Sequence, residues 1–520
     1  MIELKALLEA SLESDVLSAE EKAVNKEYLN KFGSDKLDLH RPYVDHIVLV
    51  SESGQKMFRE PDLIDVWFDS GAMPYAQWGL DYDKLAAGDP LPFNADYDSA
   101  CPADFIAEGV DQTRGWLFTL HASSTMVRGS VAFKNVVSNG LVLDKNGNKM
   151  SKRLGNGVDP FATIEKYSAD ATRWYMISNA SPWDNLKFNE EGLDEVRRKF
   201  FGTLYNTYAF FALYANIDKF SYAEPEIALE NRPEIDRWII SLLNTLTKQV
   251  DEFYSDYEPT KAARAIQNFV DEHLSNWYVR LCRRRFWKGD YTEDKISAYQ
   301  TLYTCLDTIA KLMAPVSPFF ADQLYLDLNT ATKKENFESV HLADFPVYHT
   351  DLVDKELEER MALAQDISSL TLSLRKKVGI NVRQPLSKIL VPVLDSSFQE
   401  KVEKVKDLIL SETNIKDVEF ITDTVGIIKK KIKPNFKALG AKVGKDMKAV
   451  STAIQALEAE EISALEKQGS IVLADTGYTI GLEDVEIIAE DVAGWQVANL
   501  GNLTVALDVQ ITPELKQEGI

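Results

Sequence analysis

Three cations fall within five residues at Lys149, Lys152 and Arg153, with Ser151 among them. Positive charge clustered on a short loop attracts anions. Upstream, Asn146-Gly147 sits between two short β-prone arms. That pair predicts a type I′ hairpin, a turn that needs positive φ at both central positions. Gly155 and Gly157 on the far side give hinge freedom, so the segment suits a mobile anion clamp. The alternative is a solvated basic turn.

A second group is Glu108, Gly109, Asp111 and Gln112, where a short strand ends and a helix is predicted to start near Asp111-Gln112. In open α/β sheets, ligands sit at the carboxyl ends of the strands. Gly109 lets backbone approach a ligand closely. Glu108 and Asp111 can accept hydrogen bonds from an ammonium or from ribose hydroxyls. Equally, Asp111 caps the helix and Glu108 is solvated. A third group is Asp65, Trp67, Asp69, Ser70 and Gly71. Its aromatic residues either line a pocket, or Val66 and Phe68 are core with Trp67 half buried. Asp170 and Arg173, three apart on one helix, share a face and can pair.

Two basic stretches stand apart. In Asn276–Lys288, Arg280, Arg284 and Lys288 share a helix face, and Trp277 precedes them by a turn. Guanidinium planes beside aromatic rings suit unpaired RNA bases. Ordinary amphipathic packing, with the arginines paired to acids, is the alternative. The run Lys429–Lys433, continued by Lys437, Lys442, Lys445 and Lys448, reads as a loop before a helix near Pro434. It meets RNA phosphate or is a solvated cationic face.

Four regions must position these groups. Met1 to Asn30 reads as one amphipathic helix with Leu4, Leu7, Leu8 and Leu12 on a face. Residues 40–190 give a β-α-β rhythm, with strands at Asp104–Ala107 and Ala132–Ser138 around a helix at Gln112–Val127. Residues 190–345 give long helical patterns, including Arg232–Tyr254, Pro259–Trp287 and Thr292–Met313, as in an antiparallel bundle. From 350 a helix at Asp354–Val378 leads into an α+β pattern. Its strands are Lys388–Leu394, Val418–Ile421, Ser470–Ala474, Glu483–Ala489 and Leu503–Val509, with a helix at Ser397–Ser411. Thr512-Pro513 reads as a helix start close to the last residue, which suggests a truncated chain.

The 520 residues suffice for about three to five domains. The 81 acidic and 58 basic side chains leave a net charge of −23, so nucleic-acid binding must rest on local patches. Cys101, Cys282 and Cys305 form no CxxC, which excludes a zinc knuckle built from this chain's own cysteines. No 18-residue apolar run occurs and no signal peptide is read at the start, so no membrane span and a cytoplasmic setting are expected.

Lys149-Met150-Ser151-Lys152 after a hairpin resembles the signature loop of class I aminoacyl-tRNA synthetases. Glu108-Gly109-x-Asp111-Gln112-x-Arg114-Gly115-Trp116 is similar to the isoleucyl branch of that family, and Asp65-x-Trp67-x-Asp69-Ser70-Gly71 belongs to the same resemblance. Arg153, where many relatives have serine, and Lys433-Pro434-Asn435-Phe436-Lys437 resemble the form shared by eukaryotes and some bacteria. The resemblance implies a multidomain chain. Its parts are a helical insert (1–39), the C-terminal half of an α/β Rossmann-type core (40–190), an all-α anticodon-binding helix bundle (191–349) and a small, truncated α+β C-terminal domain (350–520). It implies ATP-dependent activation of L-isoleucine to the adenylate, with Mg2+ arriving on ATP, then transfer to tRNA(Ile), by an enzyme that is a monomer when full length. By the same resemblance Lys149, Ser151 and Lys152 serve the phosphates. Glu108, Gly109, Asp111 and Gln112 contact the aminoacyl-adenylate, Gly140 lies against the adenine, and Trp277, Arg280, Arg284 and Lys288 meet the anticodon arm.

Two departures bear on activity. None of the six histidines (40, 46, 121, 273, 341 and 349) lies in the His-Ile-Gly-His-like element the family uses, and no editing domain interrupts the fold. The chain is therefore expected to be the C-terminal portion of a larger synthetase and inactive alone. The alternatives are a tRNA-binding module without chemistry, or a valyl or leucyl relative.

Overall fold

The computed structural model describes residues 2–32, 34, 37–62, 65–79, 81–89, 99–151, 153–287, 290–393, 395–422, 429–490 and 494–519. Lys152 and Lys288 therefore lie outside the described residues. The chain divides into two compact units, Met1–Leu141 with Pro182–Asn185, and Val142–Ser181 with Leu186–Ile520.

The first unit opens with two helices, Ile2–Glu13 and Ala19–Leu29, where the periodicity predicts one. The break has a local cause. Ser18 accepts from the Glu21 N–H while the Glu21 carboxylate accepts from the Ser18 N–H, a capping box that starts a new helix. Leu8 is fully buried with Tyr28 and Ile47, whereas Leu7 is exposed. Buried Asn25 pairs both ways with the Val48 backbone of β1 (Val48–Val50), which forms an antiparallel hairpin with β2 (Lys56–Phe58). β3 (Ala103–Gly109) and β4 (Phe133–Asn139) run parallel, joined by the helix Trp116–Arg128, so the β-α-β unit is as expected. The helix starts later than Gln112. Val110–Arg114 is a 3-10 turn, and Gly115 at φ −131°, ψ −115° interrupts the helical path. Gln112, not Asp111, caps it, with its side-chain oxygen accepting from the Trp116 N–H at 2.9 Å.

In the second unit, β5 (Val142–Leu143) pairs in parallel with β6 (Leu186–Lys187). Long helices follow at Gly202–Asp218, Glu234–Ser255, Glu293–Met313 and Pro318–Thr332. The predicted helix from Pro259 to Trp287 runs as Pro259–Asn268 and Arg280–Trp287, joined by a π-helical stretch Phe269–Val279. Asp170 and Arg173 do not pair. Arg173 donates to the carbonyls of Val316 and Pro315, and Asp170 accepts from the Phe320 N–H, so both tie their helix to the start of another.

Beyond Lys355–Lys377, four strands order as β13-β14-β7-β8, comprising Trp495–Leu500, Leu503–Asp508, Leu386–Pro392 and Ile415–Ile421. β7 and β8 are parallel and the other neighbours antiparallel. The helix expected over Ser397–Ser411 is two, Ser396–Lys404 and Lys406–Thr413. The lysine run is a strand rather than a loop, because β9 (Lys429–Pro434) pairs with β12 (Val485–Glu490). Its alternation is a strand's: Ile432 and Pro434 are buried while Lys431 and Lys433 are exposed.

The bundle is built around Asp236, whose side chain is 0% exposed. Its carboxylate accepts from Arg285 at 2.6 and 2.8 Å, from the Tyr278 hydroxyl at 2.8 Å and from the Ser297 hydroxyl at 2.5 Å. Arg285 also bridges to Asp294. Removing one partner from a buried ion pair strands the other charge and costs about 3–5 kcal/mol. Arg285→Met should therefore lower the urea midpoint of the bundle by that much stability, read by helical circular dichroism. A loss under about 1 kcal/mol would contradict the stated burial.

Candidate functional site

The signature loop rests on one carboxylate. Asp144 accepts from the backbone N–H groups of Asn146 (2.9 Å) and Asn148 (2.8 Å), and from the side-chain amides of Asn148 (3.4 Å) and Asn156 (3.0 Å). The Asn148 N–H and then the Asn156 amide hold the Asp144 carboxyl below its ordinary range. The hairpin forms, since Leu143 bridges Lys149 and the Asp144 N–H donates to Asn148. It is not type I′, because Gly147 has positive φ (+88°) while Asn146 does not. Asp144 bonds the turn's N–H groups itself, which removes the need for a second left-handed residue.

Asn156 holds the other side. Its carbonyl accepts from the Ser151 N–H at 2.9 Å, and its amide also lies 3.3 Å from the Lys149 carbonyl. Met150 packs on the core of the second unit, while Lys149 and Arg153 are exposed. Methionine is the anchor, while Lys149 and Arg153 face outward. Asp144 and Asn156, which hold the loop's backbone, are positions that motif reading missed. The usable signals were an Asp just before Asn-Gly and an Asn just after Gly155.

In the first unit, Glu108 and Gly109 end β3, opposite Ser138 and Asn139 of β4. Glu108 is half-buried, Asp111 is exposed, and Asp111 accepts from the Gln112 amide at 3.3 Å. The two motif elements of this unit lock together. The Trp116 indole N–H donates to the Ser70 carbonyl at 2.9 Å. A Cβ on Gly71 would stand 2.9 Å from the Thr119 carbonyl oxygen, and one on Gly115 would stand 3.0 Å from the Trp67 ring. Asp65 caps the helix Val66–Gly71 by accepting from the Trp67 and Phe68 N–H groups. Val66 and Phe68, offered as core, are 67% and 47% exposed. Gly140 donates its N–H to Pro182, and a Cβ there would fall 2.3 Å from the Asp184 carbonyl oxygen.

Of the RNA candidates, Trp277 is buried, and Arg280 lies 5.7 Å from its ring and pairs with Glu412. Both are thus engaged within the protein. Arg284, with Arg283, is exposed, and Trp287 is 54% exposed. In the lysine-rich region, Lys442 pairs with Glu483 and Asp484, while Lys437, Lys445 and Lys448 are exposed. Among the described residues, no group of three His, Cys, Asp or Glu side chains is placed to hold a metal, and no helix is long and apolar enough to cross a membrane.

Residues 6–189 match the family described as tRNA synthetases class I (I, L, M and V), and residues 236–390 match the anticodon-binding domain of tRNA ligase. The chain is 61% identical over 488 residues to an isoleucine–tRNA ligase of Bacteroides thetaiotaomicron, covering 94% of this chain and 41% of that protein. The same identity holds over 489 residues of the Cytophaga hutchinsonii ligase, of which 43% is covered. Against the Clostridium tetani ligase it is 40% over 490 residues, or 46% of that protein. The chain thus spans less than half the length of the curated relatives it matches.

A cavity of about 450 Å³ lies between Tyr175, Glu195, Lys199, Arg264 and Asp271. It borders both π-helical stretches, Val196–Phe201 and Phe269–Val279. One Asp271 oxygen is buried without a hydrogen-bond partner. Burial first, and the Glu272 charge second, push its carboxyl up from 3.8 to about 6. A carboxyl raised by folding binds its proton more tightly in the native state, so stability falls as pH rises from about 4 to about 6. Asp271→Asn should remove this one contribution, so the stability of the native chain relative to the variant, read from urea midpoints, should fall as pH rises through this window. An unchanged slope in the variant would assign the pH dependence elsewhere.

Proposed function

We propose that this chain, a relative of the class I tRNA synthetases, supplies the phosphate-handling loop and the anticodon-arm bundle of an isoleucine–tRNA ligase. The observation that carries the proposal is the signature loop, with Met150 seated in a core, Lys149 and Arg153 turned outward, and the backbone tied on both sides. The 61% identity to named isoleucine–tRNA ligases supports the choice of amino acid. We place the domains at 1–39, 40–190, 191–349 and 350–520.

In the first step a carboxylate oxygen of isoleucine attacks the α-phosphorus of magnesium-bound ATP. The bond to the bridging oxygen breaks and pyrophosphate leaves. Lys149 and Lys152 neutralise charge on the departing phosphates, and Ser151 supports them. This is electrostatic stabilisation of a group that becomes more negative as the bond breaks. Glu108, Gly109, Asp111 and Gln112 hold the adenylate, and the Gly140 backbone lies along the adenine. In the second step a terminal ribose hydroxyl of tRNA(Ile) attacks the isoleucyl carbonyl and AMP leaves. Arg284, exposed on its helix, and Lys288 meet the anticodon arm. Arg280 and Trp277 support that surface by packing. The reaction belongs to the cytoplasm, where tRNA and ATP are plentiful.

Two measurements test this. In the full-length enzyme, Lys152→Ala should slow isoleucine-dependent ATP–pyrophosphate exchange by about 100- to 1000-fold, the scale of losing one oxyanion-type donor. The KM for isoleucine should hardly move. An unchanged exchange rate would remove Lys152 from the chemistry. In the present chain, Arg284→Ala should weaken tRNA(Ile) by about 1–3 kcal/mol and erase its preference over another tRNA, if the guanidinium stacks on a base. Lys445→Ala should weaken both tRNAs alike and flatten the salt dependence by about one contact. Anisotropy titrations at several salt concentrations read both. Unaltered affinity and selectivity in Arg284→Ala would reduce that helix to packing.

A further inference from the structure

Lys149 and Arg153 are exposed side chains on a short irregular segment, and nothing in such a side chain itself fixes where it points. What gives the segment a direction is the pair Asp144 and Asn156, twelve residues apart in sequence and on opposite sides of it. The Asn156 amide donates to Asp144 at 3.0 Å, and its carbonyl accepts from the Ser151 N–H at 2.9 Å. The same amide lies 3.3 Å from the Lys149 carbonyl. Leu154 folds back onto Ser151, its N–H 3.2 Å from both the backbone carbonyl and the hydroxyl, and Gly155 turns at φ +62° to bring Asn156 round. Asn156 therefore grips the backbone on both sides of Met150, whose side chain is itself held by the core.

We propose that Asn156, oriented by Asp144, is the positioning residue of the signature loop: it fixes the backbone from Lys149 to Ser151 so that the flanking cations meet a phosphate group without first having to be ordered. Its chemistry suits the task. An amide can accept from a backbone N–H and donate to a carboxylate at once, which neither aspartate nor alanine can do. Asp144 is ionised in this arrangement, so the link is charge-assisted and stronger than one between neutral groups. Ordering paid in advance lowers the cost of binding, as for any preorganised site. The inference rests on the phosphate-handling reading of the loop given above.

The test uses the 520-residue chain, amide hydrogen exchange over the peptide 148–156, and magnesium pyrophosphate as the probe. Asn156→Asp retains the acceptor for Ser151 but sets two carboxylates about 3 Å apart, the spacing of the native pair. Like charges at that distance repel. Exchange over this peptide should speed up roughly tenfold, the scale of one charged hydrogen bond. The reciprocal swap, Asp144→Asn with Asn156→Asp, restores a donor opposite an acceptor but not the donor to the Lys149 carbonyl, so exchange should fall clearly below that of Asn156→Asp while staying above the native rate. Millimolar magnesium pyrophosphate should slow exchange in the native chain and in the swap, and have far less effect in Asn156→Asp. Equal exchange in all three chains would overturn the clasp. Faster exchange in Asn156→Asp with undiminished pyrophosphate protection would leave the pair a structural tie and refute positioning. No pyrophosphate protection at this peptide even in the native chain would refute the phosphate-handling reading itself, and the positioning role with it.

Discussion

A carboxylate that never meets water organises the second unit. Asp236 is buried from every side and takes its hydrogen bonds from Arg285, Tyr278 and Ser297. A buried charge is tolerated only when its lone pairs are met, so these partners cannot drift apart independently. They sit on three successive stretches of chain, the π-helical segment, the helix after it and Glu293–Met313, which fixes the rotation of Arg280–Trp287 about its axis. With Arg285 turned inward and Phe286 and Cys282 buried, Arg283 and Arg284 have to face outward. The burial that surrounds this network also pushes the Cys282 thiol up to about 12, so it stays neutral packing.

The same core reaches the loop at Lys149–Arg153. Met150 packs against the cluster that contains Trp174, Phe200 and Tyr299, and the loop's cations are carried by that anchor. In the first unit small residues play the corresponding part. Gly71, Gly115 and Gly140 each stand where a Cβ would run into a neighbour, so two motif elements and the segment at 182–185 approach to contact distance. Groups that bind ligands need such rigid support, because a site about 1 Å too loose loses much of its effect. Gly71 and Gly115 thus let the two motif elements pack against each other.

Much of this was legible from residue order. The β-α-β rhythm at 103–139, the long bundle helices and the Thr512 cap follow from periodicity and capping chemistry, and the first exchange of strand for helix near 109 was placed within a few residues. The misses share a cause: the deciding partner was distant, or was a side chain standing in for backbone. Asn146-Gly147 resembles a type I′ turn until Asp144 takes the N–H groups. Gln112 displaces Asp111 as cap because Gly115 breaks the helical path and delays the helix to Trp116. Helical spacing put Trp277 and Arg284 close together, but spacing does not say which face meets solvent. The tryptophan went inside and the arginine out. In β9 the lysines hid a two-residue alternation because two of its inward positions are one isoleucine and one proline.

Phosphate-handling loop, motif-bearing strand ends and an arginine-faced bundle together amount to a claim about one reaction, the activation of isoleucine for transfer to its tRNA. The most direct test is amino-acid-dependent ATP–pyrophosphate exchange by a full-length ligase that carries this chain, run side by side with isoleucine, valine and leucine. Isoleucine should support the fastest exchange, valine less and leucine little. Exchange that is absent with isoleucine, or faster with leucine, would contradict the account.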